Sequence, residues 1–252
     1  MAKRTWRSAI VVGASSGIGE AVARRLADEG THVTLIARRD DVLRAVADAI
    51  GKATSPGLVA SRAHDVRNGS EVATLWDSIE RESGPVDLLV FAAGIMPPVG
   101  PSEYGAEKDR EILEVNLVGA VAWLDQAALR MEAARCGTIV GVSSVAGDRG
   151  RRGMPAYAAS KAALNCFLES LRNRLSRHGV RVVTVRPGYV ATPMTEGLGL
   201  PAKATISADR AAELILRAAR SGPGDVYVPW TWSVVMRVIR CIPSFVFRRL
   251  SI

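Results

Sequence analysis

Seven short runs rich in β-branched residues recur along the 252-residue chain, at 9–12, 32–37, 58–60, 86–91, 138–142, 181–185 and 226–228. Helical patterns lie between most of them, at 18–28, 42–50, 72–82, 109–134 and 157–176. A run such as Leu88-Leu89-Val90-Phe91 puts apolar side chains on both faces of the pleat. That pattern suits a strand only where helices cover its sheet on both sides. The alternation therefore predicts an α/β fold: a Rossmann-type doubly wound sheet of about seven parallel strands. Ligands on such a sheet bind beyond the carboxyl ends of the strands, where the strand order reverses.

At 48% hydrophobic residues a chain of this length can bury a sizeable core. No linker, repeat or low-complexity run divides it, so one domain over 1–229 is expected, followed by an apolar and basic tail over 230–252. Cys136, Cys166 and Cys241 are odd in number and far apart, a spacing that points to neither a disulfide framework nor a metal site and fits a reducing cytoplasm. The polar stretch 1–8 carries no signal-peptide pattern. Half of the net charge of +8 comes from Arg237, Arg240, Arg248 and Arg249, in a segment with no acidic residue. Elsewhere the cations are diluted among carboxylates, with no aromatic-interleaved basic strand, which argues against nucleic acid as a partner.

The turn Gly13-Ala14-Ser15-Ser16-Gly17-Ile18-Gly19 follows the first strand and opens the first helix. Lacking Cβ atoms, such a turn lets backbone N–H groups and the positive end of a helix approach a pyrophosphate. The second strand ends in Arg38-Arg39, where NAD-binding folds usually place a carboxylate for the ribose 2′-hydroxyl. Guanidinium groups there favour the 2′-phosphate of NADP over NAD; the alternative is a solvated cap on the strand.

Tyr157 and Lys161 lie at i and i+4 of a helix, hence on one face. An ammonium beside a phenol stabilises the phenolate, making Tyr157 a proton donor to an alkoxide-like oxygen. Ser144 ends the strand 138–142 in a turn, from which its hydroxyl can donate to the same oxygen. Taken singly, Ser143 and Ser144 read better as turn residues, and Tyr157 and Lys161 as an ordinary exposed helix pair.

Together with Asp65-Val66, Ala93-Gly94, Asn116-Leu117-Val118-Gly119 and Pro187-Gly188-Tyr189-Val190-Ala191-Thr192, these pieces resemble, in order and spacing, the short-chain dehydrogenase/reductase family. The resemblance implies an NAD(P)-dependent oxidoreductase with a tetrad of Asn116, Ser144, Tyr157 and Lys161. It implies that Asn116 holds a water relaying protons to Lys161, and that Lys161 binds the nicotinamide ribose. It further implies that Asp65 and Val66 flank the adenine, that Pro187, Gly188 and Val190 lie against the nicotinamide, and that Thr192 bonds its carboxamide or phosphate side. Two departures stand out: Phe91-Ala92-Ala93-Gly94 replaces Asn-Asn-Ala-Gly, and Val12 replaces the usual Thr, leaving the strand-end geometry near Ala92 open. The helices 109–134 and 157–176 suggest a homodimer or homotetramer, because such helices in these folds commonly pair with their own copies.

The tail combines Trp230, Trp232, Phe245 and Phe247 with its four arginines, and Arg237, Arg240 and Pro243 interrupt it before it could span a bilayer of about 20 apolar residues. It reads either as a membrane-surface segment or as one that folds back as core or oligomer contact. Arg149, Arg151 and Arg152, between Ser144 and Tyr157, read as a phosphate grip or a solvated loop. With the ending 242–250 this run resembles the decaprenylphosphoryl-2-keto-erythro-pentose reductases. That implies an NADPH-dependent reduction of a lipid-linked keto-sugar or other amphiphilic carbonyl at the inner face of a membrane. A hydroxysteroid-type dehydrogenase, a 3-ketoacyl carrier protein reductase and a nucleotide-sensing binding protein are the alternatives.

Overall fold

A computed structural model describes residues 5–250 except Pro56, Pro101 and Pro223. The first four residues of the polar N-terminal stretch and the last two of the tail lie outside the described residues. Seven strands form one parallel sheet: β1 (Ser8–Val12), β2 (His32–Ala37), β3 (Val59–Ala63), β4 (Leu88–Phe91), β5 (Gly137–Val142), β6 (Val180–Pro187) and, after two short strands described below, β9 (Asp225–Val228). Their spatial order is β3-β2-β1-β4-β5-β6-β9, so the order reverses beside β1, where Val12 pairs with Ile36 on one side and Phe91 on the other.

Successive side chains of a strand point to opposite faces. On β1, Ala9 and Val11 enter one apolar layer while Ile10 and Val12 enter the other. On β4 the split is Leu88 and Val90 against Leu89 and Phe91. The first layer is closed by α1 (Gly17–Asp28), α2 (Asp40–Ala53) and α7 (Ala208–Ser221). The second is closed by α3 (Val72–Ser83), α5 (Gly119–Ala134) and α6 (Pro155–Leu175), with Trp76 and Trp123 fully buried in it. Burial on both faces explains the unbroken apolar runs. Each large side chain so buried contributes roughly 1.5–3 kcal/mol against leaving it in water.

The helix expected at 109–134 starts earlier, as α4 (Ala106–Leu113), and a π-helical turn, Glu114–Val118, joins it to α5. Neither α7, nor a two-stranded parallel sheet of β7 (Val190–Ala191) and β8 (Ile206–Ser207), nor the helices of the tail were marked in the sequence reading. The tail forms α8 (Thr231–Cys241) and α9 (Ser244–Phe247) and packs against the body, with Trp232 and Met236 buried against Val145. All three cysteines are free and exposed.

Candidate active site

The glycine turn leaves β1 with Gly13 at φ 87° and Gly17 at φ 59°, in the left-handed region that a side chain disfavours. A Cβ on Gly13 would lie 2.5 Å from the Ala93 nitrogen, and one on Gly19 would collide with the Gly13 carbonyl. The turn is thus packed so that only glycine fits, and the N-cap of α1, Ser16, makes no side-chain capping bond. The first-turn N–H groups of α1 therefore lack a side-chain acceptor and lie at the reversal point of the sheet. A cleft there is lined by Gly13, Ser15, Ser16, Gly17, Ile18, Gly19, Arg38, Arg39, Asp65, Val66, Ala93, Gly94 and Thr192. A dinucleotide would fit this cradle: the backbone N–H groups of the turn would hold its pyrophosphate, and the exposed Arg38 and Arg39 stand at the rim.

The strand end near Ala92 holds without the polar side chains that the resemblance leads one to expect, because the Ala92 N–H donates to the Val12 carbonyl at 2.8 Å. Asp65 accepts from Arg67 through both oxygens, and that pairing, with a smaller contribution from the Arg38 charge, holds its carboxyl below the usual carboxylate range. Thr192 lies over the turn, 3.1 Å from where a Gly17 Cβ would stand, and is braced by Thr195. The cleft also contains His64, Ile95 and Met194, which sequence reasoning did not single out. His64 directly precedes Asp65 at a strand end, and that position was the available signal.

At the carboxyl end of β5, Ser144 caps a short 3-10 turn, Val145–Asp148, accepting from the Ala146 N–H at 3.0 Å. Pro155 starts α6, and its first turn carries Tyr157 back toward Ser144. Burial pushes the Tyr157 phenol up, and the Ser144 hydroxyl beside it acts the other way. Lys161 follows one helical turn later, buried, with Nζ donating to the Val142 carbonyl at 3.1 Å and lying 5.7 Å from the Tyr157 ring centroid. Desolvation lowers it to about 8, so at neutral pH it stays mostly an ammonium while Tyr157 keeps its proton. The three groups expected together are together.

Asn116 sits in the π turn, fully buried. Its Oδ1 accepts from the Ile95 N–H at 2.7 Å, and its Nδ2 donates to the Ile95 carbonyl at 3.0 Å and to Ser160 Oγ at 3.3 Å. A Cβ on Gly94 would stand 3.2 Å from Asn116 Oδ1 and 3.5 Å from Lys161 Nζ, so these residues converge. The side-chain amide thus braces the junction of α4 and α5 against the strand end at Ile95 and against Ser160.

Gly188 donates its N–H to the Val228 carbonyl at 2.9 Å, and the Trp232 indole occupies the place of a Cβ on it. Pro187 ends β6, and Val190 begins β7 with its side chain buried in the core. One expectation is corrected: the three loop arginines grip the tail instead of a phosphate. Arg149 donates to the carbonyls of Ile239 at 2.5 Å and Ile242 at 2.6 Å, with its guanidinium 3.9 Å from the Phe247 ring centroid. Arg151 reaches Met236 Sδ, and Arg152 donates to the Arg248 carbonyl. Beneath them the fully buried Asp148 carboxylate accepts from Arg186 at 2.5 Å and Tyr227 at 2.8 Å, anchoring the turn that begins at Ser144.

A doubly wound sheet with a glycine cradle at its reversal point, and a serine, tyrosine and lysine beside it, defines a nucleotide-dependent oxidoreductase. Residues 7–201 match the short chain dehydrogenase family, and the chain belongs to it. It is 34% identical over 248 residues to an oxidoreductase of Myxococcus xanthus, covering 98% of this chain and 97% of that one. It is 37% identical over 206 residues to the cis-4-hydroxycyclohexanecarboxylate dehydrogenase of Sinomonas cyclohexanicum, covering 80% of each. Among solved structures, a variant of actinorhodin polyketide ketoreductase with NADPH superposes with a TM-score of 0.78 at 28% identity, covering 90% of this chain and 97% of that one.

Proposed function

We propose that the chain is an NADPH-dependent reductase that converts a ketone, on an amphiphilic or lipid-linked substrate, to a secondary alcohol. The observation that carries the reading is the trio of Ser144, Tyr157 and Lys161, the last two buried, with Lys161 beside Gly94 of the glycine-lined cleft. When bound, the nicotinamide supplies the hydride. Tyr157 Oη gives the proton to the carbonyl oxygen, and Ser144 Oγ donates a hydrogen bond to it. The Lys161 ammonium stabilises the phenolate left behind and binds the ribose, while Asn116 fixes the strand end beside them.

Arg38 and Arg39 support NADP over NAD: both are exposed at the cleft, and neither has an ion-pair partner among the described residues. The NADPH bound by the ketoreductase neighbour points the same way. The apolar and aromatic tail closing over Val145 supports an amphiphilic substrate, of which a polyprenylphosphoryl keto-sugar is one form and a steroid or ketoacyl thioester another. Val118 and Leu129, exposed on the helix 106–134, support a homo-oligomer, and the enzyme is read as cytoplasmic. An NADPH oxidation screen over keto-sugars, steroids and ketoacyl thioesters tests the reading. Turnover of at least one class is expected. Tight NADPH binding without turnover of any would favour the nucleotide-sensing alternative.

A further inference from the structure

We propose that the outward face of α8 and α9 is a docking surface for an anionic lipid bilayer. The inward face of α8 is already used: Trp232, Met236 and Ile239, at i, i+4 and i+7, pack with Val145, Tyr189 and Tyr227, and Arg149 ties down the carbonyl end of the helix. The opposite face cannot turn inward as well. It carries Trp230 at 71% exposed, Val234 at 54%, Val238 at 61% and Phe245 at 63%. Among these apolar groups stand Arg237, Arg240, Arg248 and Arg249, all exposed, with no acidic residue between 226 and 250.

Aromatic rings and cations both find partners at the headgroup boundary, and negative headgroups complement a purely positive apolar face. A second copy fits less well, because an isologous contact would set these four arginines against themselves without a carboxylate to pair them. The surface is also held rigidly to the turn that starts at Ser144, so docking would bring the substrate mouth close to the bilayer. The inference stands apart from the carbonyl reductase reading, since vesicle binding needs no turnover.

The test is co-sedimentation of the full chain with vesicles of phosphatidylcholine alone and of phosphatidylcholine with phosphatidylglycerol, at low and high salt. Binding to the anionic vesicles is expected, weakened by salt. The Val234→Asp/Val238→Asp and Arg237→Glu/Arg249→Glu variants are each expected to lower it by about tenfold or more while keeping wild-type helix content by circular dichroism. Should the aspartate pair fail to fold, the glutamate pair, which keeps every apolar contact, decides. Absence of binding at low salt would overturn the proposal, as would variants that bind like wild type. It would equally fall if light scattering showed a self-assembly abolished by the same substitutions in a protein indifferent to lipid.

Discussion

Lys161 shows how the site sets function against stability. Its ammonium is buried with a single carbonyl partner, and desolvation takes it from 10.5 to about 8. That difference corresponds to roughly 3 kcal/mol of destabilisation, fully present below pH 8, where folded and unfolded chains both hold the proton. Between pH 8 and 10.5 the folded chain releases the proton while the unfolded one keeps it, so the penalty fades as pH rises. Lys161→Met is therefore expected to be inactive yet more stable than wild type at pH 7, with the gap in denaturant-unfolding free energy shrinking by about 2 kcal/mol or more at pH 10. A pH-independent gap would contradict the burial of the charge. At this scale the sequence was informative: the i, i+4 spacing of Tyr157 and Lys161 was enough to place both on one face. It could not show that Gly188 would be covered by Trp232, or that Asn116 would spend its amide on Ile95, since neither contact is local.

Most elements with a strong apolar pattern were legible, but α7 was missed although it carries one: Ala211, Ala212, Ile215, Leu216, Ala218 and Ala219 fall on one buried face, with charged residues on the other. Ser207, accepting from the Arg210 N–H, was its clearest start signal. The π turn around Asn116 is a change in main-chain bonding from i→i+4 to i→i+5, which the side-chain pattern of 109–134 does not report. In the tail, composition announced two faces without saying which would dock. Arg149 decides this by taking the carbonyls at the end of α8, and losing it should cost about 2 kcal/mol locally. Arg149→Ala is expected to make the tail the first site of limited trypsin cleavage, at Arg237 or Arg240, with the body intact. Digestion identical to wild type would show that the clasp does not hold the helix.

For the whole molecule, sheet order brings together residues far apart in the chain: the turn at 13–19 and the strand ends at 38–39, 65–66 and 93–94 meet beside β1 and β4, and Lys161 of α6 approaches Gly94. The alternation of strand and helix foretold this convergence, while the identity of the carbonyl substrate stays a matter of side chains on the rim. Cofactor choice belongs to the same scale. The Arg38→Ala/Arg39→Ala variant should lose roughly 10- to 100-fold in kcat/KM for NADPH, with NADH little affected, as expected for loss of charge-assisted phosphate bonds. Equal losses with both cofactors would assign the pair a structural role. The central claim is that the Tyr157 hydroxyl delivers the proton. The direct measurement is single-turnover NADPH oxidation by Tyr157→Phe, with NADPH affinity measured alongside on a carbonyl substrate that the wild type reduces. A fall of about 100-fold or more at unchanged affinity is the expected result; wild-type turnover from a protein lacking that hydroxyl would contradict the account.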